Sequence, residues 1–142
     1  MLEIITGGCH CGNLHLTFYT TKPVKDLPVR ACQCSFCRKH NSRATADPEG
    51  RLEVKIIDQD KVSKYQFGHG ITDFLICTVC GVYVCAMMED EENKQILANC
   101  IVNALEFMNG SIQESIGINY DLETPGSRLE RRRKSWMRAE FI

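Results

Sequence analysis

Three tight groups of cysteines constrain this chain of 142 residues more than any other feature of it. Gly8-Cys9-His10-Cys11-Gly12 holds two, Cys32-Gln33-Cys34-Ser35-Phe36-Cys37 holds three, and Cys77-Thr78-Val79-Cys80-Gly81 holds two. Cys85 and Cys100 stand apart, which brings the total to nine. An odd number rules out complete internal disulfide pairing. Residues 1–8 carry neither the basic cluster nor the long apolar segment of a secretory signal. A reducing, cytoplasmic location is therefore expected, where thiols persist and metal sites are favoured. A secreted domain with its signal already removed is the competing reading, and the close cysteine spacing weighs against it.

The spacing has a physical basis. A tight turn aims two nearby sulfurs at one point, and glycine permits the positive φ that such turns require. Zinc takes four ligands in a tetrahedron, with sulfur at about 2.3 Å. Two pairs from distant parts of the chain complete one such site, so Cys9 and Cys11 are joined here to Cys77 and Cys80 as a structural zinc site. Structural zinc supplies an apparent binding free energy of about 10–16 kcal/mol, more than the net stability of many domains. A redox Cys-x-x-Cys at Cys77 and Cys80 is the alternative, but no thioredoxin-like βαβ pattern surrounds it.

The triplet carries more chemistry. Cys32, Cys34 and Cys37 supply three thiolates and leave a fourth zinc position for water or substrate, the layout of a catalytic site. Three thiolates on a divalent ion leave a net negative charge, so such a zinc suits holding and delivering a thiolate better than making hydroxide. Arg38, Lys39 and Arg43 lie just beyond and are expected to offset the charge and grip substrate carboxylates. The competing reading closes the site with Cys85, Cys100, His40 or His69 as fourth ligand. Cys85 and Cys100 lie in apolar runs and read first as buried core thiols.

The remainder reads as one β-rich domain, 1–142, with no repeat and no linker. Leu14, Leu16 and Phe18 alternate with polar residues, as do Leu52, Val54 and Ile56. Further strands are expected over 62–67, 73–77, 81–87 and 95–102, with Gly68-His69-Gly70 as a turn. Glu89-Asp90-Glu91-Glu92-Asn93 reads as a solvated hairpin loop. Ser127, after Pro125-Gly126, is expected to cap a helix from 128 to about 138, with Glu130 pairing Lys134 and with Leu129 and Trp136 docked on the body. A short helical turn is expected over 103–108. The formal net charge of -1 sets up no global field for nucleic acid, and no apolar run is long enough to span a membrane.

The Gly8-Cys9-His10-Cys11-Gly12 string, the triplet followed by Arg38, and Cys77-x-x-Cys80-Gly81-Val82 together resemble the glutathione-dependent formaldehyde-activating enzyme (GFA)/centromere protein V family. The stretch from Arg128 to Trp136 is similar to the tail of many members; Cys85 lies outside the motif. The resemblance implies a mainly-β fold of several small coiled antiparallel sheets clipped by zinc, with a short C-terminal helix, shared with a zinc-containing Rab-binding accessory protein. It implies two zinc ions per chain, with Cys9, Cys11, Cys77 and Cys80 as structural ligands and Cys32, Cys34 and Cys37 as catalytic ones. It also implies carbon–sulfur lyase chemistry, the condensation of glutathione with formaldehyde to S-hydroxymethylglutathione run in reverse.

Three functions are compared. The first is an enzyme acting on adducts of a small thiol and an aldehyde, with His40 or His69 as the proton donor; His10 sits within a knuckle and His15 on the polar face of a strand. The second is a binding module that contacts nucleic acid through Arg128, Arg131, Arg132, Arg133, Lys134 and Arg138, although a solvated helix flank with Glu130 and Glu140 as partners is the preferred reading of that cluster. The third is a zinc-stabilised protein-interaction domain without chemistry.

Overall fold

The computed structural model describes residues 3–106 and 112–142. In chain order its strands are β1 (Glu3–Gly8), β2 (Leu14–Thr20), β3 (Arg30–Cys32), β4 (Ala44–Thr45), β5 (Arg51–Ile56), β6 (Val62–Tyr65), β7 (Asp73–Cys77), β8 (Tyr83–Asp90), β9 (Gln95–Ile101), β10 (Ile116–Ile118) and β11 (Met137–Phe141). Helix α1 (Ser35–His40) joins β3 to β4, and α2 (Pro125–Ser135) joins β10 to β11. The fold is mainly β, as expected. The strands link in the order β1-β2-β5-β11-β9-β4-β3-β10, while β8, β7 and β6 continue from the other side of β9. Most pairs are antiparallel. Two are parallel, β3 with β10 and β5 with β11, and a parallel partner lies a long crossover away in sequence, where local alternation carries no sign of it.

Alternation places the core. Leu14, Leu16 and Phe18 of β2 and Leu52 and Val54 of β5 are fully buried in one cluster with Leu75, Val84, Cys85, Ala98 and Cys100. A second cluster gathers Phe74, Tyr83, Ala86, Met88, Leu97, Ile101 and Trp136. Strands β8 and β9 contribute to both clusters, so both of their faces are covered, which explains why 83–88 reads as a continuous apolar run. Cys85 and Cys100 sit opposite one another across β8 and β9, buried in the first cluster as expected.

Four local expectations need correction. The acidic run is not wholly a loop: β8 extends through Glu89 and Asp90, and Asp90 is buried because Arg133 reaches it from α2. The helix begins earlier than expected. Thr124 is its cap and Pro125 its first residue, while Ser127 closes the reciprocal box, donating its N–H to Thr124 Oγ1 at 3.1 Å and accepting from Thr124 N at 3.0 Å. Proline suits the first helical position, where its missing N–H costs nothing. The helix also stops at Ser135, because 137–141 pairs with β5 and β9 instead. Glu130 pairs with Arg133 rather than Lys134. Leu129 and Trp136 do pack on the second cluster. Of the turn expected over 103–108, a 3-10 turn covers Val102–Ala104 and residues 107 and 108 lie outside the described residues. No helix among the described residues is long and apolar enough to cross a membrane.

Candidate metal centres

Cys9 and Cys11 lie in the turn between β1 and β2; Cys77 ends β7, and Cys80 lies in the turn to β8. Gly8, Gly12 and Gly81 take φ of 146°, 89° and 81°, so each knuckle is closed by a residue without a Cβ. A backbone amide meets one of the sulfurs: Leu14 N donates to Cys9 Sγ at 3.2 Å. The four sulfurs lie within 4.8 Å of one another. Cys9 and Cys11 sulfurs are 3.7 Å apart, and Cys11 and Cys77 sulfurs 3.5 Å. A tetrahedron with metal–sulfur bonds of about 2.3 Å has edges of about 3.8 Å, so this donor set fits a tetrahedral ion. All nine cysteines are free thiols.

Cys32, Cys34 and Cys37 form the second cluster, also within 4.8 Å. Strand β3 delivers Cys32. Cys34 caps α1, its sulfur accepting from Cys37 N at 3.4 Å, and the first helical turn brings Cys37 back beneath it. Phe36, half-buried, anchors the helix: its ring lies 4.6 Å from that of Phe74, 5.2 Å from Tyr83 and 5.6 Å from both Tyr65 and Phe67. Three sulfurs this close cannot all ionise without a cation. Hydrogen bonds from Cys32 and then Cys37 hold the Cys34 thiol far below its usual range, and hydrogen bonding of Cys37 with Cys32 and then Cys34 pushes the Cys37 thiol up. The set therefore shares protons until a metal replaces them. Among the described residues, Cys85, Cys100 and the histidines do not join it as a fourth donor.

The triplet lines a cavity of about 350 Å³. Phe67, Phe74, Tyr83, Tyr120 and Trp136 give it aromatic walls, and Arg30, Arg128, Arg131 and Arg132 make it basic. Arg38, Lys39 and Arg43, expected to serve this role, do not line it. α1 turns Arg38 back onto the Gln33 carbonyl, where Nε donates at 3.0 Å. Arg30 takes their place, two residues from Cys32 and on the same face of its strand. Arg128 and Arg131 both bind Glu123, at 3.0 and 2.6 Å, and Arg131 stacks on Tyr120.

Arg132 is different. It is 6 % exposed and its guanidinium lies 4.0 Å over the Trp136 ring. Nη1 donates to Thr72 Oγ1 at 2.6 Å and to Met88 Sδ at 3.4 Å, while Nε is buried with no partner. Burial pushes this guanidinium down to about 9. A signal for it existed in the sequence: 129, 132 and 136 share one helical face, so a face carrying Leu129 and Trp136 inward carries Arg132 inward too. Thr45 Oγ1 is also buried without a partner; Thr45 lines the cavity as well and pairs with Cys100 across β4 and β9.

His69 lines the cavity, with Nε2 3.1 Å from the Glu123 carbonyl. His40 does not line it, and packs tilted against Phe36 and edge-on against Tyr83. His10 and His15 are exposed and belong to neither cluster. The basic helix offers little free charge to nucleic acid, since Arg133 alone binds Asp90, Glu92 and Glu130.

Comparison with known proteins agrees with this geometry. A crystal structure of a Rhodobacter sphaeroides protein has the same fold, with a TM-score of 0.59 and 26% sequence identity, covering 80% of this chain and 99% of that one. The family model described as glutathione-dependent formaldehyde-activating enzyme matches residues 4–115, a span that holds all seven clustered cysteines. By that match, the chain belongs to the glutathione-dependent formaldehyde-activating enzyme family.

Proposed function

We propose that this protein is a cytoplasmic zinc enzyme of the carbon–sulfur lyase type, acting on adducts of a small thiol and an aldehyde, with glutathione and formaldehyde as the pair that the family name suggests. Two zinc ions are assigned to each chain. Cys9, Cys11, Cys77 and Cys80 hold the first, which clips the β1–β2 turn to the β7–β8 turn. Cys32, Cys34 and Cys37 hold the second. When bound there, zinc supplies a cationic site that accepts a substrate thiol as its thiolate.

The chain's own residues carry the rest. Arg30 offsets the negative charge that three thiolates leave on a divalent ion. The rings of Phe67, Phe74 and Tyr83 exclude water from the adduct and strengthen the electrostatics around it. In the synthetic direction a carbon–sulfur bond forms between the thiolate sulfur and the aldehyde carbon, and the former carbonyl oxygen takes up one proton; the lyase direction returns both. Delivery of that proton is assigned to His69, because it lines the cavity and His40 does not.

One observation carries this reading: the triplet opens onto a basic, aromatic-walled cavity, with no fourth protein donor beside it among the described residues. The test combines metal analysis with thiol-dependent formaldehyde consumption. Two zinc ions per chain and consumption that requires the thiol are expected. Cys34→Ala should release one zinc, abolish consumption and leave the protein folded. A single zinc with no consumption would make the protein a zinc-stabilised binding module instead.

A further inference from the structure

A buried cation normally has a buried counterion, because an uncompensated charge in an apolar setting costs several kcal/mol. Arg132 breaks this pattern. It is the buried arginine of α2, and among the described residues no carboxylate lies within ion-pair distance of it, whereas its neighbours Arg128, Arg131 and Arg133 are all paired. Among the described residues its acceptors are a hydroxyl and a thioether, both on Nη1, and Nε is buried with no partner.

Its position gives this deficit a direction. Arg132 lines the same cavity as Cys32, Cys34 and Cys37. Thr72 and Trp136 hold the guanidinium in place from two sides, so it is already oriented and little side-chain entropy remains to be lost on binding. The surrounding walls are aromatic, and a charge-assisted hydrogen bond formed there is poorly screened.

We propose that Arg132 is a specificity-determining residue that anchors a carboxylate of the substrate, so that the cavity takes a thiol whose apolar body carries a carboxylate at the end away from the sulfur. The proposal deepens the enzyme reading and rests on it for the thiol, but the anion site is testable without sulfur chemistry. Arg30 stays with the triplet and Arg132 with the carboxylate, which divides the two cavity cations that lack an ion-pair partner among the described residues between the two ends of one ligand. A neutral thiol of the same shape leaves Arg132 uncompensated and binds more weakly.

The chain's single tryptophan reports on this site, because Trp136 lies against the guanidinium itself. The zinc-loaded full chain is titrated with 3-phenylpropionate and with 3-phenylpropanol, which share an apolar body and differ in charge, while Trp136 fluorescence is followed. The acid is expected to bind at least about tenfold more tightly, as a hydrogen-bonded charge implies. Arg132→Gln keeps a donor for Thr72 and removes the charge; it should abolish the preference, while Arg132→Lys retains part of it. Equal affinity for acid and alcohol in the wild type overturns the proposal, and needs no variant to fold. A preference that survives in Arg132→Gln overturns it as well. Formaldehyde consumption measured on the same preparation separates the two readings. Acid preference without consumption keeps the anion site and removes the enzyme, whereas consumption without acid preference removes the role of Arg132.

Discussion

Arg133 grips Asp90 through two parallel hydrogen bonds, Nε to Oδ2 at 2.9 Å and Nη2 to Oδ1 at 2.8 Å, and so ties α2 to the far end of β8. This pairing holds the Asp90 carboxyl well below the usual carboxylate range, with Gln95 and Asn93 adding to it. A carboxylate with a depressed folded pKa contributes stability above its unfolded value, about 3.9, and loses that contribution as pH falls toward the folded value. Asp90→Asn should therefore lower the urea midpoint at pH 7 and flatten the fall in stability below about pH 4. Urea unfolding at pH 7 and pH 3 checks this. A midpoint that falls as steeply in the variant as in the wild type removes the pairing as a source of acid sensitivity.

The two candidate metal centres should differ in what their loss does. The first gathers four sulfurs from two turns 66 residues apart at Cys11 and Cys77, and a metal bound there offsets the entropy of closing that loop with an apparent binding free energy of about 10 kcal/mol or more. Cys77→Ser should abolish cooperative unfolding and expand the chain. Cys34→Ala should remove one metal and leave the unfolding transition in place. Metal content paired with circular dichroism on both variants decides the matter, and similar collapse in both contradicts the division of labour.

Gly8 tests the knuckle directly. A Cβ built there would lie 2.0 Å from the Leu14 carbonyl oxygen, at a φ of 146° that side chains avoid. Gly8→Ala should cost at least about 2 kcal/mol and weaken the first metal centre, because relieving the clash moves Cys9. Competition for metal against a colorimetric chelator measures the second effect. Unchanged affinity means that the knuckle tolerates the shift.

Phe36 couples the second centre to the core. Phe36→Ala should destabilise by about 2–3 kcal/mol, less than for a fully buried ring because Phe36 is half-exposed. It should also speed release of metal from Cys32, Cys34 and Cys37, since α1 loses its aromatic anchor. A stopped-flow chelation trace with one slow and one accelerated phase is the expected result; two unchanged phases would show that the helix is held by its backbone alone.

Local chemistry was legible and topology was not. The alternation at Leu14, Leu16 and Phe18 follows from one buried sheet face, and the grouping of Cys9, Cys11, Cys77 and Cys80 follows from tetrahedral coordination. The alternation is a short-range pattern, while the cysteine grouping joins two short-range pairs across 66 residues because one tetrahedral ion needs four ligands. Strand β11 was missed because Met137-Arg138-Ala139-Glu140-Phe141 follows a helix without a break, and only the slot between β5 and β9 makes it extended. Strand β4 has two residues, too few for any period to register. The basic lining was misplaced for a related reason. Arg38, Lys39 and Arg43 are near the triplet in sequence, but α1 directs the chain away. Arg128, Arg131 and Arg132 lie some 90 residues later and are brought to the cavity by the packing of α2.

The placement of β11 has a consequence for biosynthesis. It fills the space between β5 and β9, yet it is synthesised after every other described strand. Until residue 137 is available, β5 and β9 each present a raw hydrogen-bonding edge, the kind of surface that recruits strands from other chains. The nascent protein thus passes through an interval of self-association risk that the finished molecule no longer carries, and dependence on chaperones should be concentrated there.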